Sequence, residues 1–229
     1  MRKFLPSLTT ITPFLWENKI DEIDRLGIEE IALFPTCLDF ESRKKLYKKL
    51  LKTKLRSIPF THLKDDMKLE EVEFLNKQYG CEVFNIHTNK EAIELLKRIP
   101  EYHNRIYVEN GKGEDINKSF WDVVDTVGGI CIDFAHFYDF SIIQKDKNYV
   151  EFSKKINDYE VGCCHLGAIK NTPTEGKKGM LYHSHTVGKL AELDYLKELK
   201  QLLPGICAIE VENSLTEQLT MKKYLESIL

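Results

Sequence analysis

Four of the seven histidines, His62, His87, His136 and His165, lie at or just past the C-terminal ends of short apolar runs. Three carboxylates, Glu109, Asp133 and Glu210, end other runs of the same kind, and Glu212 follows two residues after Glu210. The doublet His183-Ser184-His185 lies between two more such runs, and only His103 stands apart in a polar stretch. At this composition, four-residue windows at eight strand ends hold about one histidine. Neutral imidazole and carboxylate together suit Zn, Mn, Fe or Co. Carboxylates can also bridge two ions about 3.5–4 Å apart. The metal-ligand candidates are therefore His62, His87, Glu109, Asp133, His136, His165, His183, His185 and Glu210. They exceed what one ion needs, which points to one to three divalent ions, Zn or Mn first. With a single ion, the remaining histidines would bind substrate. Singly, each residue suits a hydrogen-bonded interior position or a salt bridge. It is the shared placement at strand ends that points to metal.

Such residues converge only if their strands end on one face. The apolar runs predict strands over Phe4–Thr9, Glu30–Pro35, Arg56–His62, Glu82–His87, Arg105–Glu109, Gly129–Asp133, Val161–Leu166 and Ile206–Val211. Several are continuously apolar, as in strands buried on both faces. Helix-period stripes separate them: Ile20, Ile23 and Leu26; Leu46, Leu50 and Leu51; Val72, Leu75 and Tyr79; Ile93, Leu96 and Ile99. Further stripes are Trp121, Val124 and Val127; Phe152 and Ile156; Leu193, Leu196, Leu199 and Leu203; and Leu219, Tyr224 and Leu225. Strict alternation requires parallel strands with helical crossovers. Eight such units predict an α/β fold, one (β/α)8 TIM barrel over residues 1–229. An open doubly wound sheet is the rival, but no Gly-rich dinucleotide or P-loop fingerprint supports it.

Composition narrows the function classes. The chain is 42% hydrophobic and 30% charged, enough apolar residue for a core and too much for disorder. A net charge of −3 gives no global attraction to DNA or anionic membrane. No apolar run reaches membrane-spanning length, and no apolar stretch of signal-peptide type follows Met1-Arg2-Lys3. The six cysteines lack C-x-x-C spacing and are expected to be reduced and buried, which suits a cytoplasmic protein. No protein partner is indicated.

Gly129-Ile130-Cys131-Ile132-Asp133-Phe134-Ala135-His136 reads G-x-C-x-D-x-x-H. Upstream stands Val108-Glu109-Asn110-Gly111-Lys112-Gly113; downstream stand Cys164-His165-Leu166, His183-Ser184-His185-Thr186-Val187-Gly188 and Ala208-Ile209-Glu210. From about residue 56 onward, these segments resemble the xylose isomerase-like TIM barrels. Within them they resemble the endonuclease IV family (AP endonuclease family 2). The resemblance implies a metal centre in which Glu109 and Glu210 bind or bridge ions and His62 and His87 hold one ion. Asp133, His136, His165, His183 and His185 would hold the others. His183 stands where endonuclease IV has Asp. The segment His62-Leu63-Lys64-Asp65-Asp66 lacks the aromatic residues that follow the corresponding histidine there, which puts a DNA substrate in doubt.

Two reaction classes follow. The histidine surplus favours metal-dependent phosphoester hydrolysis of abasic DNA or a small phosphodiester, with catalytic Glu210, Glu109 and His136. Glu210 is chosen over Glu212 for the order Ala-Ile-Glu. Lys170 and Lys189, with Lys177 and Lys178, lie in a long segment from Gly167 to Leu190 and could meet phosphate; a solvated basic loop is the equal alternative. Asn110 is the third substrate-binding candidate. The alternative is isomerisation or epimerisation of a sugar or sugar phosphate. Glu109, Asp133, His165 and Glu210 would then hold one ion, with His136 on the substrate. The near-neutral charge and short chain favour that alternative. A barrel that binds metal or ligand without catalysis is the third reading.

Overall fold

Continuous apolar strands can bury both faces only when the sheet is covered outside and filled inside. The computed structural model, which describes residues 2–12, 15–111, 116–176 and 179–229, achieves this with a closed barrel. The barrel strands are β1 (Lys3–Thr9), β2 (Glu30–Phe34), β3 (Ser57–His62), β4 (Val83–Ile86), β5 (Ile106–Glu109), β6 (Gly129–Asp133) and β7 (Val161–Leu166). A two-stranded hairpin follows, β8 (Ala168–Gly176) and β9 (Gly179–Ser184), and then the last barrel strand, β10 (Ile206–Ile209). Around the barrel the order is β1-β2-β3-β4-β5-β6-β7-β10, every neighbour pair parallel and β10 closing on β1. The fold is a (β/α)8 TIM barrel.

The covering helices are α1 (Leu15–Leu26), α2 (Phe40–Leu50), α3 (Leu69–Tyr79), α4 (Lys90–Arg98), α5 (Lys118–Val124), α6 (Phe134–Phe137), α7 (Lys147–Lys155) and α8 (Leu215–Ile228). Gly80 ends α3 in the left-handed region, φ +63°, which a glycine adopts without steric cost. The leucine stripe after residue 190 forms 3-10 turns over Leu190–Lys197 and Lys200–Leu202 rather than an α-helix.

Alternation along each strand sends every second side chain inward. Leu5, Ala32, Phe34, Phe60, Val83, Tyr107, Cys131, Cys163 and Ala208 pack together inside the barrel. Gly162 leaves room for the Tyr107 ring, which a Cβ at that position would strike. Continuing the same parity two residues toward the C-terminal ends gives His62, Asn85, Glu109, Asp133, His165 and Glu210. Strand periodicity thus stacks one polar layer directly on an apolar plug.

The structure corrects two sequence expectations here. The segment from Gly167 is a β-hairpin rather than a loop, with Ile169 opposite His183; Lys177 and Lys178 lie outside the described residues, as do Lys112 and Gly113. All six cysteines are free thiols and five are buried, but Cys37 is exposed. Among the described residues, no helix is long and apolar enough to cross a membrane.

Candidate active site

The polar layer is centred on Glu109, which is almost fully buried. Its Oε2 accepts from Asn85 Nδ2 at 2.7 Å and lies 2.9 Å from His62 Nε2 and 3.5 Å from His165 Nδ1. Its Oε1 is 3.9 Å from His87 Nδ1. Burial alone raises a carboxyl pKa. Here His87, His165 and His62 outweigh it and hold Glu109 well below the ordinary carboxylate range.

His165 is fully enclosed, with the Phe34 and Phe60 rings 5.0 and 5.4 Å away beneath it. Its Nδ1 lies 3.1 Å from Glu210 Oε2, yet neither ring nitrogen makes a hydrogen bond. Burial pushes this imidazole down, but Glu109 and Glu210 dominate and raise it to about 10. Burial likewise opposes ionisation of Glu210, and His165 and His185 overcome that and hold it at about 2. Glu212 is turned away, accepting from Thr12 N at 2.9 Å and from the Thr12 hydroxyl. Glu210 is therefore the carboxylate that faces the cluster.

Asp133 ends β6 and also caps α6, its Oδ1 accepting from His136 N at 2.9 Å. The D-x-x-H spacing is thus a helix cap: it brings the His136 ring back over its own capping carboxylate, with Nδ1 3.4 Å from Asp133 Oδ2. His136 Nδ1 is buried without a hydrogen bond, and burial lowers the pKa of the ring. The β8–β9 hairpin carries His183 to a ring-centroid distance of 4.2 Å from His136, and His185 lies 6.3 Å from it. The His185 Nδ1 stands 3.4 Å from the Glu210 carbonyl.

Ligand-capable atoms form three groups: His62, His87 and Glu109; Glu109, Asp133 and His136; Asp133, His165 and Glu210. The groups share Glu109 and Asp133. A test of fit comes from the imidazoles. The Leu63 carbonyl, 2.9 Å from His62 Nδ1, can only accept, so that nitrogen carries the hydrogen. A neutral His62 ring then aims a lone pair at the Glu109 carboxylate, and two acceptors 2.9 Å apart need a proton or a cation between them. His165 Nδ1 and His136 Nδ1, facing Glu210 at 3.1 Å and Asp133 at 3.4 Å without a hydrogen bond, make the same demand. The residues present fit a divalent cation.

Other sequence candidates land elsewhere. Asn110 is fully buried and turned to the β6 backbone, with Asp133 N donating to its Oδ1 at 2.6 Å and its Nδ2 donating to Asp133 O at 3.1 Å. It holds Asp133 in place instead of facing the mouth. The Lys170 ammonium is paired with Glu192 at 2.6 Å. Lys189 is exposed and shares a surface groove with Lys170 and Glu192. Beside the cluster, a pocket of about 140 Å³ is lined by His62, His87, Thr36, Lys64, Asp65 and Asn89. Sequence reasoning missed Asn85 and Asp139. Inward parity with Val83 was the available signal for Asn85; none existed for Asp139, which reaches the site only through the hairpin.

No family model matches the chain, and no curated protein matches it. Two similar solved structures are an uncharacterized protein from Parabacteroides distasonis and the apo form of 3-keto-D-glucoside 4-epimerase, YcjR, from E. coli. The first is 13% identical, with 98% of each chain covered and a TM-score of 0.49. The second is 13% identical, covering 99% of this chain and 100% of that one, with a TM-score of 0.48.

Proposed function

We propose that the chain is a divalent-metal-dependent enzyme that isomerises or epimerises a small hydroxy-carbonyl sugar at its barrel mouth. One observation carries the reading. His165 is fully buried with neither nitrogen hydrogen-bonded, grouped with Asp133 and Glu210 and 3.5 Å from Glu109. These four residues would hold a Zn or Mn ion. When bound, such an ion supplies Lewis acidity toward adjacent carbonyl and hydroxyl oxygens.

The chain's own residues do the rest. Glu109 and Glu210 project from strands on different sides of His165, and both are held ionised, so either can take a proton from a substrate carbon and, as the carboxylic acid, return it to that carbon's other face or to its neighbour. Asn85 and His62 fix one oxygen of Glu109. Phe34 and Phe60 close the floor and exclude water from below. His136 and His183 line the hairpin side and meet substrate hydroxyls. The small pocket beside His62 and His87 suits a small substrate.

Phosphoester hydrolysis, the first expectation from sequence, is the second reading here. The pairing of Lys170 with Glu192 leaves that ammonium neutralised, and a mouth with three carboxylates repels a phosphodiester. What favours hydrolysis is the separate group of His62, His87 and Glu109, which offers a second ion a place next to the first. Counting ions separates the two. Elemental analysis of protein stripped and reloaded with Zn or Mn should give one ion per chain, retained in His87→Ala and lost in Glu109→Ala. Deuterium from solvent should enter an aldose or ketose carbon. Two or three ions, with cleavage of a nitrophenyl phosphodiester, would replace this reading by the hydrolase.

A further inference from the structure

Asp139 lies in a π-turn over Tyr138–Ile143, is fully buried, and belongs to none of the metal-capable groups. Its carboxylate nevertheless faces the mouth histidines from behind. Oδ2 accepts from His183 Nδ1 at 2.6 Å, from Tyr182 N at 2.9 Å and from His183 N at 3.1 Å. Oδ1 accepts from Gln144 Nε2 at 2.7 Å. Two backbone N–H groups donate to Oδ2 and the Gln144 amide to Oδ1, so Asp139 serves as an acceptor through both oxygens. His183 Nδ1 must therefore carry the hydrogen. In the neutral ring Nε2, on the far side from Asp139, is a bare lone pair. Among the described residues it has no hydrogen-bond partner, and the neighbouring ring is His136, 4.2 Å away. A ring is turned and its tautomer set by the hydrogen bond its other nitrogen makes.

We propose that Asp139 is a positioning residue that locks His183 as the Nδ1–H tautomer, so that Nε2 accepts a hydrogen bond from a hydroxyl of a polyhydroxylated substrate. The substrate half rests on the sugar reading above; the tautomer half does not. His183 Nε2 and the buried Nδ1 of His136, which makes no hydrogen bond, then form a paired polar wall on the hairpin side of the mouth. Asp133 and Glu109 lie beside His136 in one ligand-capable group. A polyol hydroxyl entering the mouth on the hairpin side meets the His183 acceptor.

Long-range 15N NMR of the metal-stripped protein near pH 8 reads the ring nitrogens directly, with His183 assigned by its loss in His183→Gln. The wild-type ring should show a protonated Nδ1 and a bare Nε2. In Asp139→Asn the Nε2–H form should rise at least tenfold, and Asp139→Glu should restore part of the original population. A merely structural role would leave the tautomer unmoved. A wild-type ring protonated on Nε2 overturns the proposal, even if the variants fail to fold. Xylitol, a polyol that lacks the carbonyl needed for turnover, then probes the substrate half in Zn-reloaded protein. Its binding should move the Nε2 resonance in wild type and not in Asp139→Asn. Binding that leaves Nε2 unmoved overturns the hydroxyl contact. Absence of xylitol binding counts against the sugar reading, and the tautomer result still decides the role of Asp139.

Discussion

Two buried ionic clusters among the described residues of this barrel are finished differently. Between α2 and α3, the fully buried Arg43 guanidinium donates to Glu71 twice, at 2.8 and 3.0 Å, to Asp66 at 2.8 Å and to the Leu38 carbonyl at 2.8 Å. Tyr47 and the Lys68 backbone complete Glu71. Opposite charges and hydrogen bonds there balance within the chain. At the mouth, Glu109, Asp133 and Glu210 gather among imidazoles, and buried nitrogens of His165 and His136 make no hydrogen bond there. Burial without satisfaction costs about 1–3 kcal/mol per group. A fold keeps such a site only if something else supplies the missing interaction. The first cluster is structural, tying α2 to α3 and to the chain that follows His62. The second is the one the proposed cation would complete.

Removing one member from each cluster should therefore give opposite results. Glu71→Ala takes the carboxylate from two donors of the buried Arg43, leaving only Asp66 and the Leu38 carbonyl on its other nitrogen, with an expected loss of about 3–5 kcal/mol, roughly 6–20 °C in Tm, and unchanged Zn affinity. Calorimetry and a Zn titration check both halves. Glu109→Ala should weaken Zn binding by about 100-fold or more, with a smaller loss of Tm in the stripped protein than Glu71→Ala, since the histidines and Asn85 satisfy Glu109 only in part before a cation binds. Were Glu109→Ala to melt the stripped protein as Glu71→Ala does, the distinction would fail.

Next in size comes a pH effect on the stripped protein. Glu210 is held at about 2, below its ordinary 4.5, so its contribution is present above pH 4.5 and lost as pH falls through about 2. His165 is raised to about 10 from 6.5, so its contribution is full below pH 6.5 and lost as pH rises through about 10. Stripped protein should be most stable between about pH 4.5 and 6.5. Zn loading should flatten the alkaline fall, because the cation replaces the proton on His165. An equally steep alkaline fall with and without Zn would detach His165 from the ion.

The smallest effect is expected at Lys170. If its ammonium serves Glu192 alone, Lys170→Ala costs less than about 1 kcal/mol and leaves KM unchanged. A large rise in KM would return that lysine to the substrate and strengthen the hydrolase reading.

The chain order of residues determined a good deal by itself. Strand alternation is a two-residue rule, so inward placement of His62, Glu109, Asp133 and His165 at strand ends was legible without coordinates. The D-x-x-H turn is equally local, because a capping Asp and the third helical residue meet through a single turn. Parity alone left Glu210 and Glu212 equivalent. Only the fold, by bringing Thr12 to Glu212 and His165 to Glu210, separated them. It likewise turned Asn110 onto Asp133, set Asn85 against Glu109, and made a hairpin that delivers His183 to Asp139. Those pairs are 23 to 44 residues apart in sequence. Local rules fix which way a side chain points. Whether it meets a partner depends on packing between distant segments, and that is a property of the closed barrel.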